Sequence, residues 1–459
     1  MGNSEFEATQ SPSSRRLNGR DSGTQLAGSL VEDANYLISI PELRSADQGA
    51  ARRRWTINGD FTTLRRNGVA RYAREVTMAL DALISEGHPL GRDLEMDLVI
   101  PRPLTEPLPL KAITVRIIPE FNRPRLPQLW VQAQLPWHVP GGLLSFCNLA
   151  PVMLSRQIAC IHDMHTRLMP LSYPRGFRWA HRLILPALGR RAARITTVSQ
   201  LARSHLIKFG IAPEENIVVT YNGSDHAKRW DARKSSLAVD RRRPYVLCLG
   251  RGDQEYKNLE LLARLAPLLD EMGLDLWMPG DVDEATVLRY VAKLPDNIVF
   301  LGRIDDDDFK KALEGALCFL FPSRIEGFGL PAVEAMASGC PVIASSSPCL
   351  PEICGDSALY VDPDDVHAWA EKVRHLLVTP ALREWLVTKG NARASSYSWR
   401  WIAWKYLELM VQVDADFGER SCGRRPSEGN DLAEFSKPAQ GRGDRRHRVA
   451  PGANPRSMA

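Results

Sequence analysis

The feature that most narrows what this chain can become is a repeated alternation of short β-rich runs with longer stretches of helical periodicity. Strand-like runs stand at Leu98-Val-Ile100, Val115-Arg-Ile-Ile118, Ile158-Ala-Cys-Ile161, Ile195-Thr-Thr-Val198 and Val218-Val219. They resume at Tyr245-Val-Leu-Cys-Leu249, Leu274-Asp-Leu-Trp277, Ile298-Val-Phe-Leu301, Cys318-Phe-Leu-Phe321 and Val342-Ile-Ala344. Between them, residues 70–83 carry an apolar stripe, and Leu261, Leu262, Leu265, Leu268 and Leu269 recur at helical spacing within 259–272. Pro267 inside that pattern predicts a kink. Strand, helix, strand repetition implies an α/β fold of parallel sheets covered on both faces. A polar, Arg- and Ser-rich stretch at 231–243 divides the alternation into two blocks, so the expectation is two doubly wound domains with that stretch as linker. A ligand then belongs in the cleft, at the C-terminal ends of strands from both sheets. No repeat of 20 to 50 residues is evident, which argues against a solenoid or propeller.

Composition sets the outer limits. The chain has 459 residues, 44% apolar and 25% charged, which fits a soluble globular protein of two or three domains. Its most apolar stretch, 138–153, is broken by glycines, prolines and Asn148, so no transmembrane helix is expected. The beginning of the sequence lacks an apolar core with a small-residue cleavage site, which points to the cytoplasm. Eight cysteines with no CxxC pair suit reduced thiols and offer no metal framework. A net charge of +5 is too small at this length to imply nucleic-acid binding. Residues 1–52, rich in Ser, Arg, Asn and Gly, read as a disordered extension with a short strand at Tyr36-Leu-Ile-Ser-Ile40. Residues 417–459, with Arg445-Arg446-His447-Arg448, read as a basic disordered tail.

The sharpest segment is Phe321-Pro-Ser-Arg-Ile-Glu-Gly-Phe-Gly-Leu-Pro-Ala-Val-Glu-Ala-Met-Ala-Ser-Gly-Cys-Pro. It leaves a strand, turns through Gly327 and Gly329, and enters a helix near Pro331, since proline suits the first helical turn. Gly339 is expected to end that helix. The free amides at its start make an anion site. Glu326 in the turn and Glu334 in the first helical turn would repel a phosphate but accept hydrogen bonds from hydroxyl groups. An anion between two hydroxyl-rich moieties describes a nucleotide-sugar. Positive charge comes from the loop after Tyr245-Val-Leu-Cys-Leu-Gly250, where Arg251 offers a fork and Lys257 a point charge to a diphosphate. Each signal alone also reads as an ordinary capped helix entry; together they are specific.

These residues resemble the retaining glycosyltransferases of family 4, with the GT-B fold of two doubly wound Rossmann-like domains facing a central cleft. The resemblance rests on the Glu-x7-Glu spacing of Glu326 and Glu334 and on Gly-Arg before Lys-Asn. Asn67-Gly-Val-Ala-Arg-Tyr72, Ile161-His-Asp163, Thr197-Val-Ser199, Tyr221-Asn-Gly-Ser-Asp225 and Leu350-Pro-Glu-Ile353 add to it. It spans residues 57–406. It implies an acceptor-side domain over 53–230, a nucleotide-sugar domain over 244–396, and a crossover helix over 397–416 packing back on the first domain. It implies that Glu334 holds the donor ribose, Glu326 the sugar hydroxyls, and Arg251 with Lys257 the diphosphate. The turn Gly327, Phe328, Gly329, Leu330 would line the donor, Gly68 would let backbone approach it, and His162 would lie beside the transferred sugar. The first-domain turn, Asn67-Gly68, departs from the family's glycine pair, and Asp253-Gln-Glu-Tyr256 is an atypical loop filling.

Other chemistries weigh less. Asp281-Val-Asp283 looks like a metal motif, but it follows a Pro-Gly turn, and the run from Asp305 to Asp308 suits a helix N-terminus. With Arg251 and Lys257 to neutralise a leaving diphosphate, no metal or other cofactor is expected. A glycoside hydrolase would also use two carboxylates, yet it has no use for a diphosphate clamp. The segment Tyr173 to Arg194 sets six arginines among Phe177, Trp179, Leu183, Ile184 and Leu185. It reads either as a peripheral membrane contact or as a helix with a solvated basic face, interrupted at Pro186. The N-terminal half, including Leu143-Leu-Ser-Phe-Cys-Asn-Leu-Ala-Pro151, is similar to bacterial exopolysaccharide and O-antigen enzymes, which implies transfer of a hexose, with GDP-mannose the lead donor, to a saccharide or lipid-linked acceptor. A GT-B epimerase or hydrolase and a noncatalytic nucleotide-sugar-binding protein are the alternatives.

Overall fold

The computed structural model describes residues 52–65, 67–120, 129–238, 243–252 and 254–421. The strand expected at 36–40 and the tails expected over 1–52 and 417–459 lie outside these residues, apart from 52 and 417–421. The described residues through Phe417 form one compact unit that contains two sheets.

The first sheet is built from β1 (Arg53–Asn58), β2 (Leu94–Ile100), β3 (Thr114–Ile117), β4 (Gly142–Ser145), β5 (Gln157–Cys160), β6 (Arg194–Thr197) and β7 (Ile217–Val219). Their order is β3-β2-β1-β4-β5-β6-β7, with every pairing parallel. The second comprises β8 (Tyr245–Leu247), β9 (Gly250–Arg251), β10 (Asp275–Asp281), β11 (Ile298–Gly302), β12 (Phe319–Phe321), β13 (Val342–Ser345) and β14 (Ala358–Val361). It runs β11-β10-β8-β12-β13-β14, also parallel, with β9 paired to β10. In each sheet the strand order reverses once, between β1 and β4 and between β8 and β12. A doubly wound sheet opens a crevice at that reversal, because successive crossovers depart to opposite faces there.

Helices cover these sheets with the apolar faces that the sequence shows. Gly68–Ser85 buries Tyr72, Ala73, Val76, Leu80 and Leu83 at intervals of three and four, and its cap Asn67 accepts from the Ala70 amide. Leu259–Glu271 buries Leu261, Leu262, Leu265, Ala266 and Leu269, and carries Pro267 within one unbroken helix. Arg175–Arg191 likewise continues through Pro186, contrary to the interruption expected there. The ring at 186 leaves the Arg182 carbonyl without its helical donor, and Arg167 Nη2 lies 3.5 Å from that oxygen.

The last helix, Trp399–Ser421, returns to the first sheet and runs beyond the expected end at 416. The Tyr406 hydroxyl meets Thr196 Oγ1 at 2.7 Å and the Tyr72 hydroxyl at 3.0 Å. Asp414 accepts from Arg53 Nε at 2.6 Å, Trp55 Nε1 at 2.9 Å and Arg156 Nη2 at 2.7 Å. One carboxylate thus neutralises two arginines and satisfies a buried indole.

Candidate active site

Because β8 and β12 are neighbours, the loops leaving their C-terminal ends must emerge side by side. That is how Lys257 and Glu326, far apart in sequence, meet: Lys257 Nζ donates to Glu326 Oε1 at 2.7 Å, with both side chains largely covered. Asn258, held at φ 60, stitches the loops further, donating from Nδ2 to the carbonyls of Pro322 at 3.2 Å and Pro363 at 2.7 Å. The Arg324 amide donates to the Tyr256 carbonyl at 2.8 Å. The Lys257 ammonium also sits 5.2 Å from the Tyr256 ring centre and 5.7 Å from that of Phe321.

The turn after β12 uses its glycines for two different reasons. A side chain at Gly327 would come within 2.6 Å of the His162 carbonyl, so the second sheet's turn touches the first sheet's main chain there. Gly329, at φ 93, caps the helix Leu330–Ala337 from the left-handed region, with Pro331 in its first turn. Glu334 falls in the second turn of that helix, one turn later than expected, and Phe328 and Leu330 are buried.

Arg251 is placed by β9, which pairs Gly250 with Gly280 and Arg251 with Asp281. The Asp281 carboxyl is held below its usual value by a hydrogen bond from Arg303, with the Arg251 charge adding to the effect. Among the described residues no hydrogen bond joins Arg251 to the Gly327–Gly329 turn. Asp281 accepts from Arg303 Nη2 at 2.6 Å, and Asp283 caps Glu284–Val287, so both acids of the metal-like motif have protein partners.

Glu334 is the most tightly engaged of the candidates. His226 Nε2 donates to its Oε1 at 2.8 Å, and Arg71 Nε lies 3.5 Å from the same oxygen. His226 accepts at Nδ1 from Trp399 Nε1 at 2.9 Å. Arg71, three residues after Gly68, also forks Asp306 through Nη2 at 2.6 Å and Nη1 at 3.1 Å. Burial opposes the Arg71 charge, but Glu334, Asp306 and Glu75 outweigh it and hold the guanidinium above its usual value. The acidic run is therefore more than a helix terminus. Asp305 caps Asp306–Gly315, Asp307 accepts from the Asp231 amide at 2.8 Å, and Asp308 accepts from the Ser236 and Leu237 amides at 2.8 and 3.0 Å.

On the first sheet, His162 stands just beyond β5, near the reversal where Asn58 Nδ2 donates to Ser145 Oγ at 3.3 Å. Its amide donates to Asn148 Oδ1 at 2.7 Å and its Nε2 to the Phe146 carbonyl at 2.7 Å, which fixes the ring. Gly68 opens its helix with no protein atom within 4 Å of where a side chain would begin. Of the residues at this junction, His226, Arg71 and Asp306 were not singled out in the sequence as site residues. Arg71 lies inside the noted Asn67–Tyr72 motif and His226 directly follows Asp225, but neither motif shows where its side chain goes.

Comparison with known proteins bears on this arrangement. Residues 66–228 match the family described as Glycosyltransferase Family 4, and residues 243–379 match Glycosyl transferases group 1. The chain is 31% identical to the O-antigen chain mannosyltransferase B of Escherichia coli, over 54% of this chain and 68% of that protein. It belongs to glycosyltransferase family 4. The O-antigen chain mannosyltransferase RfbU of Salmonella typhimurium is 28% identical over 50% of this chain and 63% of its own length. Among solved structures, sucrose-phosphate synthase from Thermosynechococcus elongatus superposes with a TM-score of 0.60 at 21% identity, over 80% of this chain and all of that one. WaaG, a glycosyltransferase involved in lipopolysaccharide biosynthesis, gives 0.57 at 14% identity, over 78% of this chain and 99% of that one. Both carry the GT-B arrangement of two parallel, helix-covered sheets seen in this glycosyltransferase.

Proposed function

We propose that this glycosyltransferase moves a hexose, with mannose the lead, from a nucleotide-diphosphate sugar to a saccharide or lipid-linked acceptor of surface polysaccharide synthesis, with retention at the anomeric carbon. The observation that carries the reading is the Lys257–Glu326 pair at 2.7 Å beside the Gly329-capped helix. It sets a cation, a hydroxyl acceptor and a helix N-terminus at the reversal of the second sheet. GDP-mannose is the lead donor because two similar proteins are named O-antigen mannosyltransferases.

In this reading the half over 244–396 holds the donor and the half over 53–230 presents the acceptor. Glu334 takes the ribose and Glu326 the sugar hydroxyls. Phe328 and Leu330 hold the turn that lines the donor. Lys257, Arg251 and the positive end of the helix after Gly329 stabilise charge developing on the departing diphosphate, which is the role a resident metal would otherwise fill. In retention by front-face attack, the leaving phosphate oxygen takes the acceptor's proton, so the protein works by positioning reactants and stabilising charge. His162, fixed by Phe146, lies beside the transferred sugar, and Gly68 leaves room for backbone to approach it. Thermal-shift titration of the full chain with GDP- and UDP-sugars tests the donor, since a ligand of the native state raises the Tm. Stabilisation by UDP-sugars alone overturns the guanine assignment, and no response to either class overturns the donor site.

The same proposal includes peripheral contact with a membrane surface. Among the described residues no helix is long and apolar enough to cross a membrane. The helix Arg175–Arg191 contains no acid and buries His181, Leu185 and Leu188, while Trp179 is 65% and Leu183 69% exposed. Exposed apolar groups set among Arg175, Arg182 and Arg190 suit an anionic bilayer surface.

A further inference from the structure

We infer that His226 is a positioning residue for ribose recognition, presenting one chosen oxygen of Glu334 to the donor; this rests on the donor-site reading above. A carboxylate beside a binding cleft can offer either oxygen and rotate between them. Here both protein donors converge on the same one: His226 Nε2 at 2.8 Å and Arg71 Nε at 3.5 Å both approach Oε1. Among the described residues none pairs with Oε2, which leaves that oxygen to accept from a vicinal diol.

The arrangement is fixed from behind. Trp399 Nε1 donates to His226 Nδ1 at 2.9 Å, so the ring must carry its proton on Nε2, where it faces Glu334. His226 is 1% and Trp399 2% exposed, with ring centres 5.8 Å apart, and Trp230 packs edge-on to the same imidazole at 5.3 Å. A neutral imidazole with both nitrogens assigned cannot turn over without breaking two hydrogen bonds in a covered site. Arg71 is held separately by its fork on Asp306. The chain has thus built a relay, Trp399 to His226 to Glu334, whose last member shows a single acceptor to the cleft.

The test is calorimetric titration of the full chain with GDP and UDP, each beside its 2′,3′-dideoxy analogue. The wild type is expected to favour the ribonucleotide. His226→Phe should lose about tenfold in affinity for it while binding the dideoxy analogue as before, so the preference collapses. His226→Gln, whose amide N–H can reach Oε1, should keep most of the preference, and Trp399→Phe should lose part of it. Two results overturn the inference: a His226→Phe protein with the wild-type preference, or equal weakening of both nucleotides, which marks a structural role alone. A wild type that binds nucleotide without favouring ribose removes this inference and spares the donor site. A wild type that binds neither nucleotide removes both. If His226→Phe fails to fold, Trp399→Phe decides: an unchanged preference there overturns the inference.

Discussion

Lys257 and Glu326 compensate one another in a largely covered place, so each fixes the other's position before any ligand arrives. Glu326→Gln keeps the shape but gives up the charge, and transfer measured with radiolabelled donor is expected to fall at least about a hundredfold. Lys257→Ala should raise the donor KM and lower kcat together, since the diphosphate loses its point charge. Asp60, at the end of β1, supplies a pH test. Its Oδ1 is covered and unpaired, and burial pushes the carboxyl up to about 7, against a smaller opposing hydrogen bond from the Phe61 backbone. A folded pKa above the unfolded one means the folded state holds the proton more tightly. Stability from this group is then complete below about pH 4 and drains away as pH rises towards 7. Asp60→Asn should flatten that slope and gain at least about 1 kcal/mol at pH 8, read from Tm across pH 4 to 8. The glutamates and the lysine were legible in the sequence because glycine and proline punctuate the loops around them. His226 was not, because its partners lie 108 and 173 positions away and no local pattern reports an indole and a carboxylate meeting one ring.

At the level of elements, the two glycine turns make opposite predictions. Gly327→Ala drives a methyl group against the His162 carbonyl, 2.6 Å away, so both Tm and transfer should drop. Gly68→Ala meets no protein atom, and Tm should stay within a degree or two, while transfer suffers if the donor approaches that backbone. A Gly68→Ala enzyme with unchanged kinetics would remove Gly68 from the site. Ten of the strand-like runs in the sequence are strands, yet β1, β4, β9 and β14 were not among them. β1 is central, but it opens with Arg53 and Arg54 and carries Thr56 and Asn58, both buried. Its sense emerges only with Asp414, which pairs Arg53. β4 starts at Gly142, where a side chain would lie 2.5 Å from the Trp55 ring. The packing that requires glycine there also hides the strand from β propensity. Pro186 misled in the other direction, because the capture of the freed carbonyl by Arg167 lies outside any helical window.

For the whole molecule, the acidic run Asp305 to Asp308 is a fastening as much as a helix start. It grips Arg71 from the first half and the amides of 231, 236 and 237 from the connecting stretch. Asp306→Asn and Arg71→Ala each cut the charged fork, and small-angle scattering should show a larger radius of gyration than the wild type, with donor KM raised. Unchanged scattering and KM in both would reduce the pair to a surface decoration. Reversing Arg175, Arg182 and Arg190 to Glu should abolish sedimentation with anionic liposomes, and unchanged binding would exclude that helix as the contact.

The fork of Asp414 carries a consequence for how such a chain is made. Arg53 and Trp55 leave the ribosome some 360 residues before the carboxylate that satisfies them is polymerised. At about 5 to 20 residues per second, this interior strand of the first half waits roughly 20 to 70 seconds for its counter-ion. A premature stop anywhere between residues 55 and 414 would therefore harm a strand made long before it, and nascent chains that end in this interval should be the ones that chaperones hold longest.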